Sequence, residues 1–230
     1  LTKYTGVSPG PAVADWRLES VLPEYGKRCA EFIHSQKDTE KPFFLYFPMP
    51  SPHSPIAPDQ PWKGTSGISE YADFLIETDA IVGQLLKALD DSQQSKNTIV
   101  IFTTDNGTSP IANFESLAEK GVHLTENFRG NKADAYEGGH RVPLVVRWPG
   151  VTKPNSRTDE VVSLVDIMAT LAEITNYELP DESAEDSLSL LPLLQGKRLA
   201  QPLNEAIVCH GISGHFAVRQ GGKNGQWKTL

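Results

Sequence analysis

Three short stretches carry the side chains best suited to polar chemistry. Thr103-Thr104-Asp105-Asn106-Gly107 directly follows the apolar run Thr98-Ile99-Val100-Ile101-Phe102. A carboxylate and an amide oxygen therefore emerge at the C-terminal end of a strand, where open α/β sheets place their ligands. An oxygen pair of this kind suits a hard cation such as Ca2+ or Mg2+. Asp-Asn-Gly is equally a good turn sequence, and these residues alone leave both readings open. Pro50-Ser51-Pro52-His53-Ser54-Pro55 holds an imidazole between prolines, in a loop stiff enough to fix it near a sheet edge. Arg129-Gly130-Asn131-Lys132, followed by Tyr136-Glu137-Gly138-Gly139-His140-Arg141-Val142-Pro143, offers a compact ammonium charge for an anionic group. Its glycines permit tight backbone turns, and a solvated surface lysine is the plainer alternative.

The elements that must position these loops are legible from periodicity. Residues 42–47 and 98–103 are rich in aromatic and β-branched side chains and read as buried strands; residues 143–148 make a third. Between the first two, Tyr71, Phe74, Leu75, Ile81, Val82, Leu85, Leu86 and Leu89 keep helical spacing, with Ser69 as the opening residue. Strand, helix, strand predicts a βαβ crossover. A helix over 164–174, with Ser163 as its cap and Asp166 in the first turn, and an earlier one over 21–36 that packs Cys29, complete an α/β layered domain. After the acidic stretch 181–186 the pattern shifts to short segments, 206–209 and 215–219, separated by glycines, which predict antiparallel hairpin strands. A small second subdomain is expected from about residue 198, giving a division into 1–197 and 198–230.

Composition narrows the partners. The chain of 230 residues carries 21 Lys+Arg against 29 Asp+Glu, a net charge of −8. No basic stripe is available for nucleic acid or for an anionic membrane surface. No apolar run approaches the roughly 20 residues of a spanning helix. Cys29 and Cys209 fit one disulfide or two buried thiols equally well, which leaves the redox compartment open. The segment Leu1-Thr2-Lys3-Tyr4-Thr5-Gly6 shows no starting Met and no signal pattern, as expected of a processed or excised piece.

Taken together and in order, these motifs resemble the later portion of a sulfatase of the alkaline phosphatase superfamily. The resemblance lies in residues 42–47 followed by Pro52-His53-Ser54-Pro55, in the long helix leading to Thr104-Asp105-Asn106-Gly107, in Arg129-Gly130-Asn131-Lys132, and in Tyr136-Glu137-Gly138-Gly139. Arg141-Val142-Pro143, Trp148-Pro149-Gly150, Asp166-Ile167-Met168-Ala169-Thr170-Leu171, Ser189-Leu190-Leu191-Pro192-Leu193-Leu194 and the ending from Ala217-Val218-Arg219 to Trp227-Lys228 extend it. It implies an alkaline phosphatase-like α/β fold with a mixed sheet flanked by helices, and a small antiparallel C-terminal subdomain. It implies that Asp105 and Asn106 are ligands of an active-site Ca2+ and that His53 and Lys132 contact the sulfate group and serve catalysis. It further implies a sulfated small molecule or carbohydrate as substrate, with His215 in a binding role, and a periplasmic, secreted or lysosomal location.

The chain also departs from the family pattern. Sulfatases use a formylglycine nucleophile made within Cys/Ser-x-Pro-x-Arg, and neither Cys29-Ala30-Glu31 nor Cys209-His210-Gly211 resembles it. The paired aspartates that complete the metal site have no counterpart before Pro42. The expectation is a piece lacking the N-terminal part, with little or no activity alone, weak or absent Ca2+ binding, and self-association or a partner chain over exposed sheet surface. Two rival readings are a phosphodiesterase or phosphonate hydrolase of the same superfamily and a non-catalytic binding module. Asn106 disfavours the first, because those relatives place a metal-binding His after the Asp.

Overall fold

A computed structural model describes residues 10–11, 13–222 and 227–229; the N-terminal segment considered above lies outside them. The chain divides into two compact units, Leu1–Thr98 with Ile111–His123, and Ile99–Pro110 with Leu124–Leu230.

The first unit is built on two packed helices, α1 (Val21–Ser35) and α2 (Glu70–Asp91), with a short α3 (Phe114–Ala118). Helix α2 begins where the periodicity predicts. Ser69 is extended, and its hydroxyl accepts from Ala72 N at 3.2 Å, satisfying one of the free N–H groups of the first turn. Leu22, Phe74 and Ile81 form the core, with Phe47, Met49, Ile56 and Leu85 packed against it. Gly26 lets α1 approach closely: a Cβ there would stand 2.9 Å from Ile81 Cδ1. Asp73 is buried, and its carboxylate accepts from Gly64 N (2.7 Å) and Ser66 N (2.8 Å), tying the preceding loop to α2. Burial pushes that carboxyl up, but these bonds outweigh it and hold the group below the ordinary range.

Glu77 is the opposite case. It is fully buried, one carboxylate oxygen accepts from Asp59 N at 3.0 Å, and Oε1 has no partner. Burial raises its pKa above the ordinary 4.5. An acid whose pKa is raised on folding holds its proton in the folded chain. Its stability contribution is therefore greatest on the acid side of the ordinary value and falls as pH climbs through the raised one. Urea unfolding of Glu77→Gln is expected to lose this slope, gaining about 1.4 kcal/mol relative to the wild type at neutral pH for each unit by which the pKa is raised. Parallel slopes in the two proteins would show that Glu77 is ionised at no cost.

Residues 42–47 join no strand ladder among the described residues, in contrast to the expected strand and βαβ crossover. They keep the predicted period of two. Phe43, Leu45 and Phe47 are half-buried, while Phe44 and Tyr46 are 73% and 76% exposed. An alternating apolar run decides which side chains pack; it does not supply a hydrogen-bonding neighbour.

The second unit contains β1 (Val100–Thr103), α4 (Glu137–His140), β2 (Leu144–Arg147), α5 (Asp166–Thr175), α6 (Leu191–Leu194), β3 (Ala206–His210), β4 (Phe216–Gln220) and β5 (Trp227–Thr229). Strand β1 pairs antiparallel with β2, in a register that sets Thr103 opposite Leu144. The turn after β1 and the loop before β2 consequently leave the ladder at the same end. Strands β3, β4 and β5 form a separate antiparallel sheet, in line with the predicted hairpin. Helix α5 starts at Asp166, and the capping differs from the expected one. The buried Asp166 carboxylate, rather than the Ser163 hydroxyl, closes the turn, accepting from Ser163 N at 2.7 Å. It also accepts from Leu188 N (2.9 Å) and Asn204 Nδ2 (3.1 Å), fastening the entry of β3 to α5. Among the described residues no helix is long and apolar enough to cross a membrane.

Candidate functional site

Two backbone hydrogen bonds bring the oxygen pair and the lysine together within the second unit. Gly107 N donates to Gly139 O (2.9 Å), and Lys132 N donates to Thr108 O (2.9 Å). The turn that carries Asp105 and Asn106 is thus closed against the loop that carries Lys132, with the main chain of Lys132 bonded two residues beyond Asn106. The close approach requires glycine. A Cβ on Gly107 would overlap the Gly138 carbonyl oxygen and lie 2.8 Å from its carbon, and one on Gly139 would lie 2.7 Å from Asn131 O. The loop is braced further by Gly138 N donating to Arg129 O (2.8 Å) and by Asn131 N donating to the Asp134 carboxylate (2.9 Å). The Arg129 guanidinium stacks 4.0 Å over the Tyr136 ring. Glu137 pairs with Arg141 (2.9 Å) and lies 3.8 Å from Arg219 of β4, which links this loop to the C-terminal sheet.

Within the turn, Asn106 Nδ2 donates to Asp105 Oδ1 at 2.6 Å, and Thr104 Oγ1 donates to Asn106 O at 3.2 Å. Asp105 is exposed and Asn106 and Lys132 are half-buried. A carboxylate and an amide oxygen on neighbouring residues are of the kind a hard cation accepts, and they supply two of the six to eight oxygens that Ca2+ prefers. Among the described residues, no group of three or more His, Cys, Asp and Glu side chains could hold a metal ion.

His53 belongs to the first unit. Its main chain donates to Pro50 O (3.2 Å), and Nδ1 lies 2.7 Å from Ser54 O. A carbonyl can only accept, so this contact fits a proton on Nδ1, with Nε2 the nitrogen left for another partner. The loop is moored to α2, where Thr78 Oγ1 lies 2.7 Å from both Ser51 Oγ and Phe74 O.

Cys29 and Cys209 are free thiols, and burial raises both pKa values, with the Glu137 charge adding to the effect at Cys209. Neither has the lowered pKa of a nucleophilic cysteine. His215 lines a cavity of about 160 Å³ with Asp134, Tyr136 and Ser213. The His210 ring packs against Phe216 at 4.8 Å, His140 buries Nε2, and His123 lies in the first unit. Asp134 and Ser213 escaped the sequence reading, since no local pattern announces a residue whose partner lies in a distant turn.

The family model described as Sulfatase matches residues 22–177, and the chain belongs to the sulfatase family. It is 34% identical over 228 residues to N-acetylgalactosamine-6-O-sulfatase of Bacteroides thetaiotaomicron, covering 98% of this chain and 43% of that protein. It is 36% identical over 172 residues to human steryl-sulfatase, covering 74% of this chain and 28% of that one. A solved structure from the Bacteroides thetaiotaomicron locus for the metabolism of multiple glycosaminoglycans superposes with a TM-score of 0.80 at 34% identity, over 90% of this chain and 42% of that chain. The alkaline phosphatase-like α/β fold follows from this likeness. The chain spans less than half the length of these relatives.

Proposed function

We propose that these residues furnish the charge-stabilising part of a sulfuric ester hydrolase acting on a sulfated carbohydrate. The observation that carries this reading is the closure of the Asp105-Asn106 turn against the Lys132 loop by the Gly107–Gly139 and Lys132–Thr108 bonds. Sulfate-ester cleavage builds negative charge on the nonbridging oxygens and on the leaving oxygen. Lys132 supplies a compact cation to the former, and the Nε2 side of His53 offers a donor when the ring is protonated. Asp105 and Asn106 would hold Ca2+ through their side-chain oxygens. When bound, that ion polarises a sulfate oxygen as a Lewis acid. The raised thiols of Cys29 and Cys209 take no part. The carbohydrate is favoured because the 34% identical relative that covers nearly the whole chain is an N-acetylgalactosamine-6-O-sulfatase. The same reading gives residues 198–230 as the start of a small C-terminal subdomain and puts the protein in a periplasmic, secreted or lysosomal compartment.

The two metal-site residues are separable. In the protein as its gene encodes it, Asp105→Asn is expected to weaken Ca2+ binding about tenfold or more, the scale of one lost charge contact. Asn106→Asp keeps an oxygen and adds a charge, so Ca2+ affinity is retained. Without metal it sets a second carboxylate against Asp105, where an amide now donates at 2.6 Å, and the turn is destabilised until Ca2+ is added. Calcium isotherms together with sulfate release from a 6-O-sulfated N-acetylgalactosamine test this. Unaltered Ca2+ affinity in Asp105→Asn would make 105–107 a plain turn, and absence of sulfate release from the wild-type protein would end the hydrolase reading.

A further inference from the structure

We propose that the cavity between the 133–136 loop and the β3–β4 turn is the seat for the sugar ring of the ester, with Asp134, Ser213 and His215 reading its hydroxyl groups. This rests on the sulfate-ester reading above and adds to it which residues hold the alcohol part. Both walls are built rather than incidental. Ile212 N donates to Ala133 O (2.9 Å), Gly211 N donates to His215 O (2.8 Å), and a Cβ on Gly211 would meet Ala133 O and Ala135 N at 3.1 Å each. The turn is thereby held against the segment that begins one residue after Lys132. One wall of the cavity is thus the stretch of chain adjoining Lys132, which would set the alcohol part of the ester next to a sulfate held by that residue.

The size and lining of the cavity choose the class of alcohol. At about 160 Å³ it is well below the roughly 300–1,000 Å³ of a site that engulfs a drug-sized ligand, and so has room for one ring with the rest of the molecule outside. Its polar side chains are a carboxylate, a phenol, a hydroxyl and an imidazole, and its other walls are alanine and glycine. There is no Leu, Ile, Val or Phe to bury a sterol, whose binding would depend on apolar area. A pyranose bristles with hydroxyl donors and acceptors. Asp134, anchored through its bond from Asn131 N, accepts from them with the added strength of a charged acceptor. His215 and Ser213 are exposed on the turn and free to adapt to the configuration of the ring. The chain is similar both to a sugar sulfatase and to a steryl-sulfatase, and this lining separates the two.

The test uses the 15N-labelled protein as its gene encodes it, titrated separately with inorganic sulfate, N-acetylgalactosamine 6-sulfate and a steroid sulfate. The sugar sulfate is expected to shift amides of 133–136 and 211–215, which inorganic sulfate leaves in place, and the steroid sulfate is expected to give no shift beyond that of sulfate. Asp134→Ala is expected to weaken sugar sulfate about tenfold, the worth of one charge-assisted bond, with a smaller loss for His215→Ala and Ser213→Ala. The last two remove exposed side chains and leave the fold intact, so the proposal stays testable if Asp134→Ala unfolds. Saturating sugar sulfate that moves neither segment, or equal affinity in all three variants, overturns the subsite. Inorganic sulfate that fails to perturb Lys132 overturns the sulfate-ester reading instead, and the two failures are told apart in one experiment.

Discussion

Gly107→Ala is expected to open the site. The added methyl would overlap the carbonyl oxygen of Gly138 and crowd Gly139 Cα at 3.0 Å, and both obstacles are main chain, which no rotamer change can relieve. The Gly107–Gly139 bond must therefore lengthen or break, and the Lys132–Thr108 bond beside it loses its support. Overpacking of this kind costs about 1–3 kcal/mol, at the upper end where backbone meets backbone. For a chain of this length about 3 kcal/mol lowers Tm by roughly 6–12 °C. Hydrogen exchange should rise first at the amides of Gly107 and Lys132, and activity should fall with Asp105, Asn106 and Lys132 unchanged in identity. Full protection of both amides with an unchanged Tm would show that the two loops are held together by something other than this contact.

The second large effect concerns charge rather than shape. Lys132→Ala removes the cation proposed to meet the sulfate, and loss of a single preorganised contact to a developing oxyanion costs about 2.7–4 kcal/mol of transition-state stabilisation, or about 10²–10³ in kcat. Lys132→Arg keeps the charge but spreads it over a planar fork, so only part of the activity should return. If the side chain were merely a solvated surface lysine, both variants would be silent.

The parts of the fold that local rules govern were legible in the sequence. Helix α2 is set by apolar spacing and opened by Ser69, both of which act within a few residues. The oxygen pair at the end of β1 was visible because an apolar strand followed at once by Asp-Asn announces a strand-end loop. What escaped depends on contacts distant along the chain. Gly107 reads as a turn glycine, whereas its real constraint is the backbone of Gly138. Ser163 has the right residue type for a cap, but Val165 occupies the N-cap without a side-chain bond, and the buried Asp166 carboxylate instead ties Ser163 N, Leu188 N and Asn204 Nδ2 together. Residues 42–47 have strand composition without a ladder partner among the described residues, since pairing is a property of two segments and composition of one. The Asp134–His215 cavity is formed by a loop and a turn some eighty residues apart, which no periodicity links.

The Lys132 loop, closed on the Asp105-Asn106 turn, is proposed to stabilise a sulfate ester undergoing cleavage. The most direct test is the rate of inorganic sulfate release from N-acetylgalactosamine 6-sulfate by the protein as its gene encodes it, measured for the wild type and for Lys132→Ala at saturating Ca2+. Measurable release by the wild type and a fall of about 10²–10³ in kcat for the variant are expected; equal rates, or a wild type that releases phosphate from the corresponding phosphate ester while leaving the sulfate ester intact, would remove Lys132 from a sulfate-ester site.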